Sequence, residues 1–281
     1  MPGSTRTLRT GVARGLVELR QGFTGVELAG QLLWPMVTLA ALFLVRNRSA
    51  GDSDVSLGGW ALPSALGMFV TFGMLLMVQH LSAEREDGTL LRAKATPHGI
   101  QGYFIGKLVT VSGTILVYLL ILLLPGLFLV DGVVVGSIGG WATLLWVLAL
   151  GLIATQSIGV VIGSLLPSPR AAGYLALPVL GLVGISGIFY PITALADWVQ
   201  WIAQVFPMYW LGLGMRSAFL PNDAVSVEIG ASWRHLETGA VLGAWALLGL
   251  IVAPVVLRRM ARRESGSRVA ARREKLLQRV G

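Results

Sequence analysis

Six stretches of this chain are apolar over the length of a membrane crossing: 28–45, 61–81, 108–130, 141–166, 171–192 and 238–257. Such runs read as spans because about 20 residues, rising ~1.5 Å each, cross the hydrocarbon. Lipid offers no partner to a backbone amide, so the pattern predicts helices. The short alternating segments of a β-barrel are missing. Between the spans, polar and turn-forming residues predict short joints: RNRSAGDSDVSLGG after the first, a turn near DGVVVGSIGG, and PSPR at 167–170. Two connections are long, at 82–107 and 193–237. Long connections in a compact membrane protein tend to carry function.

Three polar or amphipathic segments break the greasy pattern. Residues 5–20 carry Leu8, Val12, Leu16 and Leu19 at helical spacing, with Arg6, Arg9 and Arg20 largely off that stripe. This predicts an amphipathic helix lying in the interface, with a disordered basic leader as the alternative. EREDGTLLRAKATP at 84–97 is a dense polar helix pinned between the second and third spans. Glu84, Glu86 and Asp87 fall at its predicted start, where the macrodipole favours anions, and Arg92 and Lys94 toward its end. Gly88 permits a break, Leu90 and Leu91 offer apolar anchors for a groove, and Pro97 ends the element. On the far side, Trp198, Trp201, Ile202 and Val205 repeat at helical spacing opposite Asp197, Gln200 and Gln204, bracketed by Pro191 and Pro207. MYWLGLGMRSAFL follows, apolar but too short to span. Residues 193–220 therefore predict a helical hairpin dipping into the outer leaflet, or alternatively a surface helix capping the bundle.

Lys and Arg orient the whole. One side carries 18 of them, at 1–27, 82–107, Arg170 and 258–281, and the other only Arg46, Arg48, Arg216 and Arg234. By the positive-inside rule both termini and the 84–97 segment face the cytoplasm of a plasma (cell or inner) membrane. The net charge of +8 is mostly this bias. The cations sit at membrane edges, which fits anionic lipid and not nucleic acid. The chain thus divides into one transmembrane unit, 1–257, and a basic tail, 258–281. The first apolar run begins too late and is too long for a signal peptide.

Small residues mark two further features. Gly151, Thr155, Gly159 and Gly163 step by four along the fourth span and form a close-packing face, either within the chain or between two copies. Gly181, Gly184 and Gly187, with Pro178, weaken the fifth span, which either packs tightly or moves. Catalytic and ion-coupling chemistry finds little support. His80 is the one ionisable residue inside the six spans, and it lies at their edge. There is no cysteine, no metalloprotease helix and no nucleophile elbow. GYFIGKL at 102–108 lacks the spacing and hydroxyl of a phosphate loop. Any uphill work must draw its energy from another chain.

EREDGTL at 84–90, Thr96 and Pro97, and Gly106 with Lys107 resemble the motif that follows the second span in the ATP-binding-cassette type-2 permease family. SGIFYPITALADWVQWIAQVFPMYWL at 186–211, with Pro191, Trp198, Pro207 and Tyr209, resembles a second block of drug and polysaccharide exporters of this group. The likeness covers nearly the whole chain, and departs at Asp87, Leu91, Ala93 and Lys94.

The resemblance implies an all-α integral membrane protein of six transmembrane helices. It adds an N-terminal interfacial helix, a cytoplasmic coupling helix and an outer re-entrant hairpin. Glu84, Arg85, Glu86, Asp87, Gly88, Thr89, Leu90, Arg92, Thr96 and Pro97 would dock on an ATPase partner. Two permease copies, as a homo- or heterodimer, would pair above two ATPase subunits that bind ATP and Mg; this chain would hold no cofactor and no metal. Pro191, Trp198, Trp201, Pro207 and Tyr209 would form an outer gate. Met68, Phe69, Phe72, Phe189 and Tyr190 are the aromatic and flexible residues that suit a hydrophobic cargo, although packed or lipid-facing helices use the same types. The implied activity is export of a drug, antibiotic or lipid-like molecule. Export of a glycan or lipid-linked precursor, and a non-transporting scaffold that recruits a cytoplasmic partner, are the alternatives.

Overall fold

The computed structural model describes residues 2–48, 56–96, 98–130, 137–166 and 169–263. Among them there is no strand, and the α-helices are α1 (Pro2–Gly22), α2 (Glu27–Val45), α3 (Leu57–Glu86), α4 (Thr89–Lys94), α5 (Gly99–Leu129), α6 (Ile138–Leu165), α7 (Pro169–Tyr174), α8 (Ala176–Ile185), α9 (Asp197–Val205), α10 (Pro207–Phe219) and α11 (His235–Arg263). Met1, residues 49–55, Pro97, residues 131–136, Pro167, Ser168 and residues 264–281 lie outside the described residues.

Five helices, α2, α3, α5, α6 and α11, are long and apolar enough to cross a membrane. The segment read as the fifth span differs. It is broken into α7 and α8 and stops at Ile185, short of the expected Ile192. Proline explains the break. Pro178 has no amide hydrogen for the carbonyl of Tyr174, and its ring crowds that carbonyl, so α7 ends at Tyr174. α8 has only 10 residues, about 15 Å of helix, half the hydrocarbon thickness.

α3 is the axis of the bundle. Its 30 residues span about 45 Å, well beyond the apolar run itself. α5, α6 and α10 all pack against it. Phe69 of α3 meets Tyr118 of α5 edge-to-face at 5.6 Å and Phe72 at 6.1 Å. The small stripe of α6 lies along α3 of the same chain. A Cβ on Gly159 would stand 2.5 Å from the Met74 carbonyl oxygen, and one on Gly163 3.2 Å from the Val78 Cα. Thr155 donates its hydroxyl hydrogen to the Val70 carbonyl at 3.1 Å. The two backbones approach this closely because Gly159 and Gly163 carry no side chain.

α10 sits inside the bundle, buried along almost its whole length between α3, α6 and α11. Pro207 occupies its first turn, where a missing amide hydrogen costs nothing. α1 packs lengthwise on α5, and it does so through glycines. A Cβ on Gly11 would lie 2.8 Å from the Gly102 carbonyl oxygen, and one on Gly15 2.5 Å from that of Gly106. Leu8 and Leu16 are left exposed, as an interfacial helix requires.

Candidate functional site

At one end of the bundle, α3 continues past its last apolar turn through Glu84 and Glu86 before Gly88 interrupts it. These carboxylates therefore close the span helix and do not open α4, as the sequence pattern had placed them. A helix C-terminus disfavours anions, and Lys107 offsets the cost at Glu84 by a direct ion pair. Gly88 adopts φ 79, a left-handed conformation that admits glycine readily and other residues poorly. The chain turns sharply there. Asp87 accepts a hydrogen bond from the Thr89 amide at 2.7 Å and so begins α4.

α4 has two faces. Leu90 and Ala93, three residues apart, point into the core, and Leu90 is only 1% exposed. Leu90 is therefore an internal anchor and is not available to a partner's groove, contrary to expectation. Arg92, Lys94 and Thr96 are exposed and Thr89 partly so. Arg92 donates to the Thr89 hydroxyl at 2.8 Å. Arg85 donates to the Leu166 carbonyl at 2.7 Å, capping α6. Lys94 reaches the Arg262 carbonyl in the last turn of α11 at 3.4 Å. Arg85 thus ties α3 to α6, and the short helix itself packs against α3, α5 and α11.

Lys107 is the buried centre of this junction, its side chain 3% exposed. It donates to Glu18 of α1 as well as to Glu84 of α3. Glu18 also accepts from Arg14 at 2.9 Å. Thr110 bonds the Gly15 carbonyl at 3.2 Å, one turn farther along α5. Burial alone would raise the Glu18 carboxyl. Hydrogen bonds from Lys107 and Arg14, together with their charges, outweigh it and hold the group below its ordinary value. The same carboxylate raises the Arg14 guanidinium despite burial. The four charges weld α1, α3 and α5 into one piece. Beside them opens a polar cleft of about 630 Å³ lined by Arg14, Glu18, Glu84, Thr89, Arg92 and Lys107. A second groove of about 560 Å³ runs between α1 and α4, past Arg6, Thr10, Thr96 and His98. The arrangement presents hydrogen-bonding side chains and both charge signs on a rigid support. It suits recognition of a polar protein surface.

At the opposite end, Pro191 leads into a 3-10 turn, Ile192–Ala194, and then α9. Trp198 and Trp201 stand 67% and 72% exposed on the apolar face of α9. Tyr209 is buried in α10. Phe69 lies in the packed core and Met68 and Phe72 at its margin, while Phe189 and Tyr190 occupy the turn after α8. The five candidate cargo residues are therefore split between two places.

Sequence reasoning missed two features. The glycine pairs at 11 and 15 and at 102 and 106 both step by four, and that spacing was a usable signal for α1 packing on α5. Arg216, counted as an outer-loop cation, is fully buried against Glu228. A lone charge inside the apolar α10 was the signal for a buried partner.

A multi-pass helical membrane protein with a tied-down polar elbow at one end and the short helices α9 and α10 at the other is the class that this fold and site define. The chain belongs to the ABC-2 type transporter family, whose sequence model matches residues 18–220. No individual curated protein matches it. The family assigns the chain a permease role in an ABC transporter, not a catalytic one, and implies association with an ABC ATPase.

Proposed function

We propose that this permease is the membrane half of an ATP-driven exporter, paired with a second permease copy over two ATPase subunits that carry ATP and Mg. The observation that carries this reading is the elbow at 84–96. It offers an exposed Thr89–Arg92–Thr96 face beside a polar cleft, and Lys107 joins its base to α1 and α5. A partner that presses on α4 pushes on α3 directly, because Arg85, Leu90 and Asp87 leave the elbow little freedom of its own. Both termini face the cytoplasm of the plasma membrane in this reading, and Arg258, Arg259 and Arg262 meet anionic lipid. The hairpin of α9 and α10, with Pro191, Trp198, Trp201, Pro207 and Tyr209, forms the outer gate. The exposed aromatics at the gate and at Phe189 and Tyr190 favour a hydrophobic drug, antibiotic or lipid-like cargo.

The chain has no cysteine, so a single one placed on α4 reports its neighbour cleanly. In the co-expressed complex, Arg92→Cys bearing a short photo-crosslinker is expected to capture the ATPase subunit, and Ser226→Cys on the far side is not. Capture from Ser226→Cys alone would overturn the assignment.

A further inference from the structure

The outer end of the molecule holds a buried ion pair that neither the elbow nor the gate reading uses. Arg216 of α10 and Glu228 have side chains 0% exposed. Arg216 Nε donates to Glu228 Oε1 at 2.7 Å. Its Nη1 donates to the carbonyl oxygens of Gly187 and Ile188, each at 3.0 Å. The Trp60 ring lies 6.0 Å from the guanidinium. One side chain therefore joins three pieces of backbone: α10, the turn that follows α8, and the segment of 3-10 turns at Asn222–Val227 and Ile229–Ala231.

Glycine makes the joint possible. Gly187 sits at φ 66. A Cβ on Gly212 would stand 3.1 Å from Ile188 Cα and 3.3 Å from Arg216 Nη1. α10 meets the turn backbone to backbone at this point. A second tie runs from the Thr193 hydroxyl to the Val227 carbonyl at 2.9 Å. α8 is held on one face only: Val179 and Val183 pack with Met74 and Met208, while Leu177 and Leu180 are exposed and nothing stands within 4 Å of where side chains on Gly181 and Gly184 would begin. The carbonyls that Arg216 grips add a polar anchor just past its end. Burying two charges is costly unless geometry and extra hydrogen bonds repay it; here Nε and Nη1 reach three acceptors, while Nη2 and Glu228 Oε2 stay buried without a hydrogen bond.

We propose that Arg216 is a positioning residue. It clips the outer end of the broken fifth helix and the 222–231 segment to the re-entrant hairpin, so that all three move as one body. The proposal rests on the reading of the hairpin as a moving gate, and adds which parts travel with it.

The test uses the permease–ATPase complex with spin labels on the cysteine-free chain. One label pair, Phe189→Cys with Ser226→Cys, brackets the clip. A second pair, Asp197→Cys with Ile138→Cys, compares the hairpin with the outer end of α6. The clip predicts one narrow distance for the first pair, identical with and without nucleotide. Arg216→Lys places a single ammonium where a fork is needed, and is expected to lose that narrow distance. Arg216→Met with Glu228→Leu removes both charges at similar volume, a change that buried pairs often tolerate in stability. This double variant is expected to keep its thermal midpoint and still lose the narrow distance. A first pair unchanged in the folded double variant, or one that shifts with nucleotide in the native complex, overturns the clip. A second pair that ignores nucleotide overturns the gate reading instead, and the effect of the substitutions on the first pair still decides the clip.

Discussion

Replacing Lys107 by Met tests the cytoplasmic junction most directly. Met keeps the unbranched stem and removes the charge. Glu18 and Glu84, with side chains 21% and 15% exposed, then face each other across α1 and α3 without their shared cation. Breaking a buried pair by removing one partner costs about 3–5 kcal/mol. Arg14 remains beside Glu18, and both carboxylates keep some water, so a loss near the lower end, about 3 kcal/mol, is expected. The control is the triple change Lys107→Met, Glu18→Gln, Glu84→Gln, which removes the stranded charges and is expected to recover most of that loss. Thermal unfolding of the complex in lipid nanodiscs reads both. Acid supplies a second axis. The native Glu18 carboxyl lies below its ordinary 4.5, so its stabilising contribution is present above that value and disappears as pH falls through the lower folded value. In Lys107→Met the Glu18 carboxylate lacks its chief partner, and protonation relieves it. The stability gap between native and variant must therefore narrow between pH 7 and pH 4. A gap that widens on acidification, or a single variant as stable as the native complex at pH 7, would refute the ionic account of this junction.

Gly88→Pro is expected to leave membrane insertion intact while breaking the link between ATP hydrolysis and movement, because proline cannot adopt φ 79; nucleotide-driven distance changes in the complex that match the native ones would count against the elbow. Gly159→Ala places a methyl against the Met74 carbonyl and the Met77 Cβ at 2.9 Å, neither of which can swing away, so a cost of about 1–3 kcal/mol is expected in thermal unfolding. Gly173→Ala, with nothing within 4 Å, serves as its neutral control. Trp198→Ala and Trp201→Ala are expected to change nucleotide-driven hairpin movement more than protein abundance, since both indoles are exposed; equal loss of both would mark them as structural.

The apolar runs and the polar interruptions made most of this architecture legible. The elbow, the hairpin and the stripe at Gly151, Thr155, Gly159 and Gly163 each stood out as a local pattern. What stayed hidden is what depends on partners distant in sequence. Nothing near Glu84 announces that Lys107 will neutralise it, so its position at the end of α3 went unread. The inward turn of Leu90 follows from contacts with the core, and a short helix of mixed sequence does not declare which face it buries. Pro178 was visible, but whether a proline kinks a span or ends it depends on what holds the next turn. Arg216 looked like a loop cation because its acceptors, Gly187 and Ile188 in one turn and Glu228 in another segment, come from two places distant in sequence.

A displacement at the elbow has a direct mechanical path to α10. α3 begins at the end of the bundle away from the elbow, where a Cβ on Gly58 would lie 2.7 Å from Arg46 Cα, and it ends at Glu86. Midway, a Cβ on Gly67 would lie 3.5 Å from the Gly212 amide nitrogen of α10. Pro63 interrupts the hydrogen-bond ladder of α3 near its start, but from Gly67 to Glu86 the helix holds no proline, so that stretch resists bending and carries a tilt imposed by α4 to its contact with α10. The contacts along the way favour sliding over interlocking. Gly67 meets Gly212, and Gly159 and Gly163 meet the α3 backbone, so few long side chains must change rotamer for α3 to shift. Charges fix the ends of this route, at Lys107 on one side and Arg216 on the other; between them Phe69 locks α3 to Tyr118 of α5, while glycines leave its α6 and α10 sides smooth. A rod gripped on one side and smooth on the others can carry motion between two sites by sliding past α6 and α10 together with α5.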